Sequence, residues 1–303
     1  MKKLFTAIAA ALFCFSAFAV DYTQDFNNLI MEGNYEEGKA LIEKWEKEDP
    51  KNFEINIAWF NYYLGVRAES FMKMGQMKDG RYGIYSETVF NDEDFAVAQS
   101  WLVKALKVNN KRLDVHFGRI SSCLKAEKYE EASKAIVEMI TASKKVKNQW
   151  YWTANAPIYE LLETSKENWT QAGTEMLFSG LNDYVSEFLY SYSDEISPYF
   201  KAVVDAEVKN YPEHTWGLNH AARYYRLAGD LNEAIKLLEK ACKLDPEDYV
   251  IYGNLGLAYE EAGRFADARK VYVDMCSWED EDAKAWAEES IMLLDEKEGS
   301  ESQ

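Results

Sequence analysis

Histidine, cysteine and positive charge are all scarce in this 303-residue chain, and each shortage closes off a class of function. The three histidines are His116, His214 and His220. His214 and His220 lie six residues apart rather than the four that would place both rings on one helix face for a metal; they read as solvated or groove-lining side chains. Of four cysteines, Cys14 falls in an N-terminal apolar run. Cys123, Cys242 and Cys276 then form an odd set without CxxC spacing, which speaks against a disulfide framework, a zinc site or a redox motif. They read as small buried apolar residues. Lys and Arg number 34 against 52 Asp and Glu, a net charge of −18. Such a chain lacks the basic footprint that a nucleic-acid backbone or an anionic lipid surface attracts.

Catalytic signatures are missing as well. The chain has no HExxH, no GxSxG, no P-loop and no dinucleotide glycine pattern. Asn91–Asp94 and Glu279–Asp282 are acidic runs without the alternating ligands and central glycine of a calcium loop. Each precedes a predicted helix, whose N-terminal dipole carboxylates complement. The expectation is therefore a protein that is not an enzyme, with no cofactor, no metal and no nucleic-acid partner.

Past the N-terminus no stretch is apolar enough to span a membrane. The N-terminus itself reads as an export signal: Lys2 and Lys3, an apolar run from Leu4 to Phe15, and Ala17-Phe18-Ala19 as a small-x-small cleavage site. Phe13 before Cys14 is unlike a lipoprotein signal, so cleavage is expected after Ala19. The mature chain would begin near Val20, in the periplasm or outside the cell.

What the chain does contain is a period of 34 residues. One unit, from Tyr249, reads Tyr252-x2-Leu255-Gly256-x2-Tyr259, then Gly263, then Ala268-x3-Tyr272. The preceding unit, from Thr215, carries Leu218, Ala221-Ala222, Tyr225, Gly229, Ala234, Leu238, Ala241 and Pro246. Small residues at Ala222 and Gly256 let paired helices approach, and Tyr225, Leu238, Tyr259 and Tyr272 fill the space between neighbouring pairs. Gly229 and Gly263 end each first helix, where a left-handed backbone favours glycine. Cys242 and Cys276 occupy equivalent positions roughly 10 Å apart, the usual helix-packing distance, beyond disulfide reach.

This pattern resembles the tetratricopeptide repeat, with its aromatic, Leu-Gly and Tyr in one helix and Ala and an aromatic in the next. The resemblance implies an all-α solenoid of antiparallel helix pairs wound into a right-handed superhelix over residues 20–295. Units start near 19, 53, 113, 147, 181, 215 and 249. A capping helix is expected at 283–295 and a disordered tail at 296–303. The step from 53 to 113 carries 26 extra residues, placed at about 74–92 between the two helices of the split unit. This aromatic-bearing insertion reads either as a plug on the N-terminal groove or as a ligand-contacting arm.

The family binds ligands along the concave face lined by first helices. Helical offsets nominate Trp216, Asn219, Arg223 and Arg226 in the unit from Thr215, and Tyr151, Asn155 and Tyr159 in the unit from Lys147. Asn182 and Tyr192 follow in the next unit, and Asn61 in the split unit. Asparagine amides can bridge a peptide group, aromatics anchor interfaces, and arginines can clamp a carboxylate. The functional expectation is a protein–protein interaction scaffold of the bacterial cell envelope that binds a polypeptide segment in its groove. The alternative is a carbohydrate-binding accessory protein, because aromatic residues crowd between Trp150 and Phe200 and sugar rings stack on aromatic faces.

Overall fold

The protein is described by a computed structural model over residues 22–66, 68–76 and 81–301. The expected signal segment 1–19 lies outside the described residues. Contacts divide the chain at Tyr184 into two compact units.

The first unit opens with a helix pair, α1 (Tyr22–Met31) and α2 (Tyr35–Glu48). Next comes α3 (Glu54–Asn61), prolonged by a π-helical turn at Tyr62–Val66. Phe26, Ile42, Trp45, Ile55, Trp59 and Tyr62 close one core across these helices. The insertion is a β-hairpin rather than a loop: β1 (Glu69–Gln76) pairs antiparallel with β2 (Tyr82–Val89). Its strands start earlier and end earlier than the 74–92 span read from the repeat spacing. The chain then returns to helix in α4 (Asp92–Val108), which packs on α3. Asn91 caps α4, its side-chain oxygen accepting from the N–H groups of Glu93 at 3.0 Å and Asp94 at 3.1 Å. A second full pair follows in α5 (Leu113–Lys125) and α6 (Tyr129–Val146).

Between the split pair and the next pair sits Arg112, fully buried. Its Nε and Nη2 donate to the two carboxylate oxygens of Asp114, each at 2.8 Å, and Nη1 donates to Glu54 at 2.6 Å. The guanidinium also covers the Phe53 ring at 4.8 Å. Burial opposes its charge, but Asp114 and then Glu54 outweigh that and hold its pKa above the ordinary arginine value. Glu54 and Asp114 are the second residues of the units that start at 53 and 113, so one arginine ties equivalent positions of consecutive repeats.

The expected helix pair at 147 does not form. Lys147 and Asn148 both take left-handed backbone (φ 54° each), which ends α6 and turns the chain. The next residues, Trp150-Tyr151-Trp152-Thr153, favour extended structure. They give two short strands, β3 (Tyr151–Trp152) and β4 (Ala156–Pro157), then a single helical turn, α7 (Ile158–Leu161). The Tyr151 N–H donates to the Lys111 carbonyl at 2.8 Å, so this segment runs beside Arg112. The expected unit boundary at Leu181 is likewise absent, because one long helix, α8 (Trp169–Tyr190), passes through it. Gly173 admits that helix: a Cβ there would lie 1.8 Å from the Asn148 carbonyl oxygen.

The second unit is regular. Its helices are α9 (Ser197–Asn210), α10 (Thr215–Leu227), α11 (Leu231–Leu244), α12 (Tyr249–Glu261), α13 (Phe265–Cys276) and α14 (Glu281–Glu301). Successive helices pack on one another, and α10 also packs on α12. Gly229 and Gly263 have positive φ (81° and 69°), as the helix ends required. Tyr272 packs inside its own pair rather than between pairs: a Cβ at Gly256 would meet its ring at 2.3 Å. Its hydroxyl donates to Glu260 at 2.7 Å, and Lys297 reaches the same carboxylate at 2.6 Å. That contact and buried Leu294 carry α14 past residue 295, where a disordered tail was expected. Cys123, Cys242 and Cys276 are all unbridged, and burial pushes the Cys123 and Cys242 thiols up to about 12.

Replacing Arg112 strands two buried carboxylates. Arg112→Ala should lower stability by about 3–5 kcal/mol, seen as a lower urea midpoint with an unchanged slope.

Candidate functional site

The α10 sequence sorts its residues by a helical period. Leu218, Ala221, Ala222 and Tyr224 are buried, with Tyr224 taking the inward place expected of Tyr225. Trp216, Asn219, Arg223 and Arg226 follow at spacings of three and four along one edge, and Asn219 and Arg226 reach α12. Asn219 is itself buried, not open as its offset suggested. Its Oδ1 accepts from Asn254 Nδ2 on α12 at 2.8 Å, while its own Nδ2 has no partner among the described residues. A buried amide donor left unpaired is expensive and rare in native proteins.

One turn further along α10, Arg223 is half-buried and has no acidic partner among the described residues. Burial, and then the positive charge of Arg226, hold its guanidinium below the ordinary arginine value. Arg226 differs, because Glu261 on α12 accepts from its Nε at 3.0 Å and also from Nη2. Trp216 is half-buried, edge-on to His220 at 6.2 Å. Tyr192 packs edge-on to Tyr224 at 6.4 Å, with its hydroxyl 3.4 Å from Ser197. Tyr190 lies beside this edge and is 73% exposed. The arrangement offers an uncommitted amide donor and an uncommitted cation about one helical turn apart, beside an open aromatic ring.

The other nominated residues are elsewhere, in the first unit. Tyr151 and Tyr159 both pack edge-on against Trp169, at 5.1 and 5.2 Å, instead of lining a first helix. Asn155 is exposed with φ 59°, and its side-chain oxygen accepts from Asn109 at 3.4 Å. Asn182 is half-buried on α8. Of the twelve aromatics from Trp150 to Phe200, only Tyr190 is exposed. Asn254 and Glu261 escaped the sequence reading, although each stands 35 residues after its α10 partner, one repeat and one residue on.

The histidines are not solvated. His220 is fully buried with its Nδ1 2.7 Å from Oε2 of Glu207, also fully buried, on α9. Burial raises the Glu207 pKa against the opposing pull of His220. His116 is buried edge-on to Trp150, with Nε2 3.2 Å from the Asn110 carbonyl oxygen. Among the described residues, no three His, Cys, Asp or Glu side chains are grouped to hold a metal. Nor is any described helix long and apolar enough to cross a membrane.

Residues 225–287, from the end of α10 into α14, match the model of the tetratricopeptide repeat family. This stretch is similar to tetratricopeptide repeats. The matched stretch holds α11, the α12–α13 pair and the start of α14, where the repeat spacing is most regular. Three solved structures are similar to this chain at low identity. The assembly chaperone of RpL4 aligns at 13% identity and TM-score 0.40, over 93% of this chain and 99% of that one. A thermophilic TPR protein of Thermus thermophilus aligns at 14% and 0.40, over 66% and 92%. A tetratricopeptide repeat protein from Parabacteroides merdae aligns at 11% and 0.37, over 92% and 91%. No curated protein sequence matches the chain.

Burial holds both His116 and His214 at about 4, below the ordinary 6.5. At these two groups the unfolded chain therefore binds more protons between those values, and their contribution to stability is lost as pH drops through that window, while Glu207 acts in the opposite sense. The urea midpoint should lose less between pH 6.5 and pH 4 in His116→Gln than in the parent protein.

Proposed function

We propose that this chain is a non-catalytic interaction scaffold of the bacterial cell envelope, and that the α10–α12 edge of its second unit holds a segment of a partner polypeptide. Tetratricopeptide repeats are interaction modules, and the two best-formed pairs frame this edge. The observation that carries the reading is the pair Asn219 and Arg223: a buried amide donor and a half-buried cation, both without acceptors among the described residues.

The chemistry of that pair fits a peptide. The Asn219 amide would donate to a main-chain carbonyl. Arg223 would take a carboxylate through charge-assisted hydrogen bonds, which its desolvation strengthens. Arg226, already held by Glu261, would keep a second positive charge nearby without spending its donors on the ligand. In a chain of net charge −18, the uncompensated Arg223 also orients an acidic partner segment. Export is supported by the order of the first 19 residues, basic, then apolar, then small.

Capture from envelope extract by the mature chain, with cross-linking to identify the bound segment, tests the site. Arg223→Ala should reduce capture by about tenfold, the equivalent of about 1.4 kcal/mol, with little change in melting temperature. Unchanged capture would remove the polypeptide from this edge. Fractionation that recovered the protein with the cytoplasm would overturn the envelope setting.

A further inference from the structure

The β1–β2 hairpin of the first unit does something that the repeat architecture does not require: it walls a cavity. Ser70 of β1 and Thr88 of β2 pair across the ladder, their hydroxyl oxygens 3.3 Å apart. Together they form one side of a cavity of about 280 Å³. Its other sides come from the end of α1, the start of α2, the end of α3 with its π-helical turn, and the last residue of α5. Every lining residue belongs to the first unit. Without the inserted hairpin, these helix ends would stand open to solvent.

The lining combines two chemistries. Ile30, Leu64 and Phe90 supply apolar surface that can take a hydrocarbon chain out of water. Tyr35, Asn61 and Lys125 supply polar groups, and none of the three has a hydrogen-bond or ion-pair partner among the described residues. Lys125 is the charged side chain of the lining, which holds no carboxylate although the chain has 52 acidic residues. α2 begins at Tyr35 and α5 ends at Lys125, so a positive and a negative helix end both meet the cavity and offset each other. The ammonium is left as its net charge.

We infer that this cavity binds a small organic monocarboxylate with an apolar tail. The Lys125 ammonium attracts the carboxylate, and the Asn61 amide and Tyr35 hydroxyl offer donors to its oxygens. Ile30, Leu64 and Phe90 cover the tail. At about 30 Å³ for each water-sized group, the volume holds about nine such groups. That suits an acid the size of hexanoate and is too small for a drug-sized molecule. An amine would meet the like charge of Lys125, and a neutral amide would gain nothing from it. The inference rests on first-unit residues alone, so it stands or falls separately from the α10–α12 edge.

The test titrates the isotope-labelled mature chain at neutral pH with hexanoate, hexanamide and hexylamine, and follows amide signals by NMR. Hexanoate should bind saturably with a Kd on the order of 1 mM, as expected of a ligand this small, and should shift the Asn61 side-chain signal. Hexanamide and hexylamine should bind severalfold more weakly. Lys125→Gln should bring hexanoate down to the level of hexanamide and leave hexanamide unchanged. Gly65 also lines the cavity, and a Cβ added there meets nothing within 4 Å, so Gly65→Phe should fill the space and abolish binding. Melting curves report whether each variant folds. Lys125 is exposed, so its substitution decides the question even if Gly65→Phe fails to fold. Equal binding of the three probes would overturn the inference, leaving an apolar hollow without selection for a carboxylate. Absence of a saturable shift, or hexanoate binding indifferent to Lys125→Gln, would overturn it as well.

Discussion

A guanidinium taken out of water must find carboxylates, and carboxylates taken out of water must find a cation. In the first unit that demand is met at one point. Arg112 is fully buried, and Glu54 and Asp114 reach it from the starts of consecutive repeat units. Because all three groups lose solvation together, none can move without leaving another uncompensated. That requirement ties the start of α3 to the turn that opens α5. The β3 segment is held to the same place through the Tyr151 N–H on Lys111. The second unit applies the same rule with a neutralisable pair, Glu207 and His220, between α9 and α10.

The two candidate sites depart from this rule in related ways. On the α10–α12 edge, polar groups are buried beyond what their neighbours satisfy: Asn254 satisfies the Asn219 oxygen but not its nitrogen, and Glu261 pairs with Arg226 but not Arg223. In the cavity beside the hairpin, Asn61 and Lys125 line a space that holds no carboxylate to meet them. Each leaves an interaction unmade inside an otherwise well-satisfied fold.

Much of the fold was legible because it repeats. Gly229 and Gly263, Ala234 and Ala268, and Tyr225 and Tyr259 recur in phase, and α10 to α13 begin and end where that phase requires. The starts at 113, 215 and 249 coincide with helix starts, and that at 53 falls one residue early. Legibility failed where local preference beat the period. Lys147 and Asn148 turn left-handed and Trp150 to Thr153 extend, so a helix pair became a short β segment. The hairpin was missed for a related reason: its alternation of Met72, Met74, Ile84 and Tyr82 is period two, but with apolar residues facing water it lacks the burial that usually gives such a pattern meaning. The histidines were misjudged because a polar ring signals nothing about its partner. Glu207 lies 13 positions before His220, a distance with no helical meaning.

Taken alone, the amino-acid order determined the class of helix, the length of the repeat, the place of its glycine stops and the positions that must be small or large. These are properties of near neighbours and of a period, and both can be read along a line. Only the tertiary structure decided which polar residues found partners. Arg223 and Arg226 are three residues apart on one helix, of the same type and on the same edge, yet one is paired and the other is not. The difference is the location of Glu261 on a neighbouring helix, and a side chain's solvation depends on what surrounds it in three dimensions, not on what precedes it in the chain.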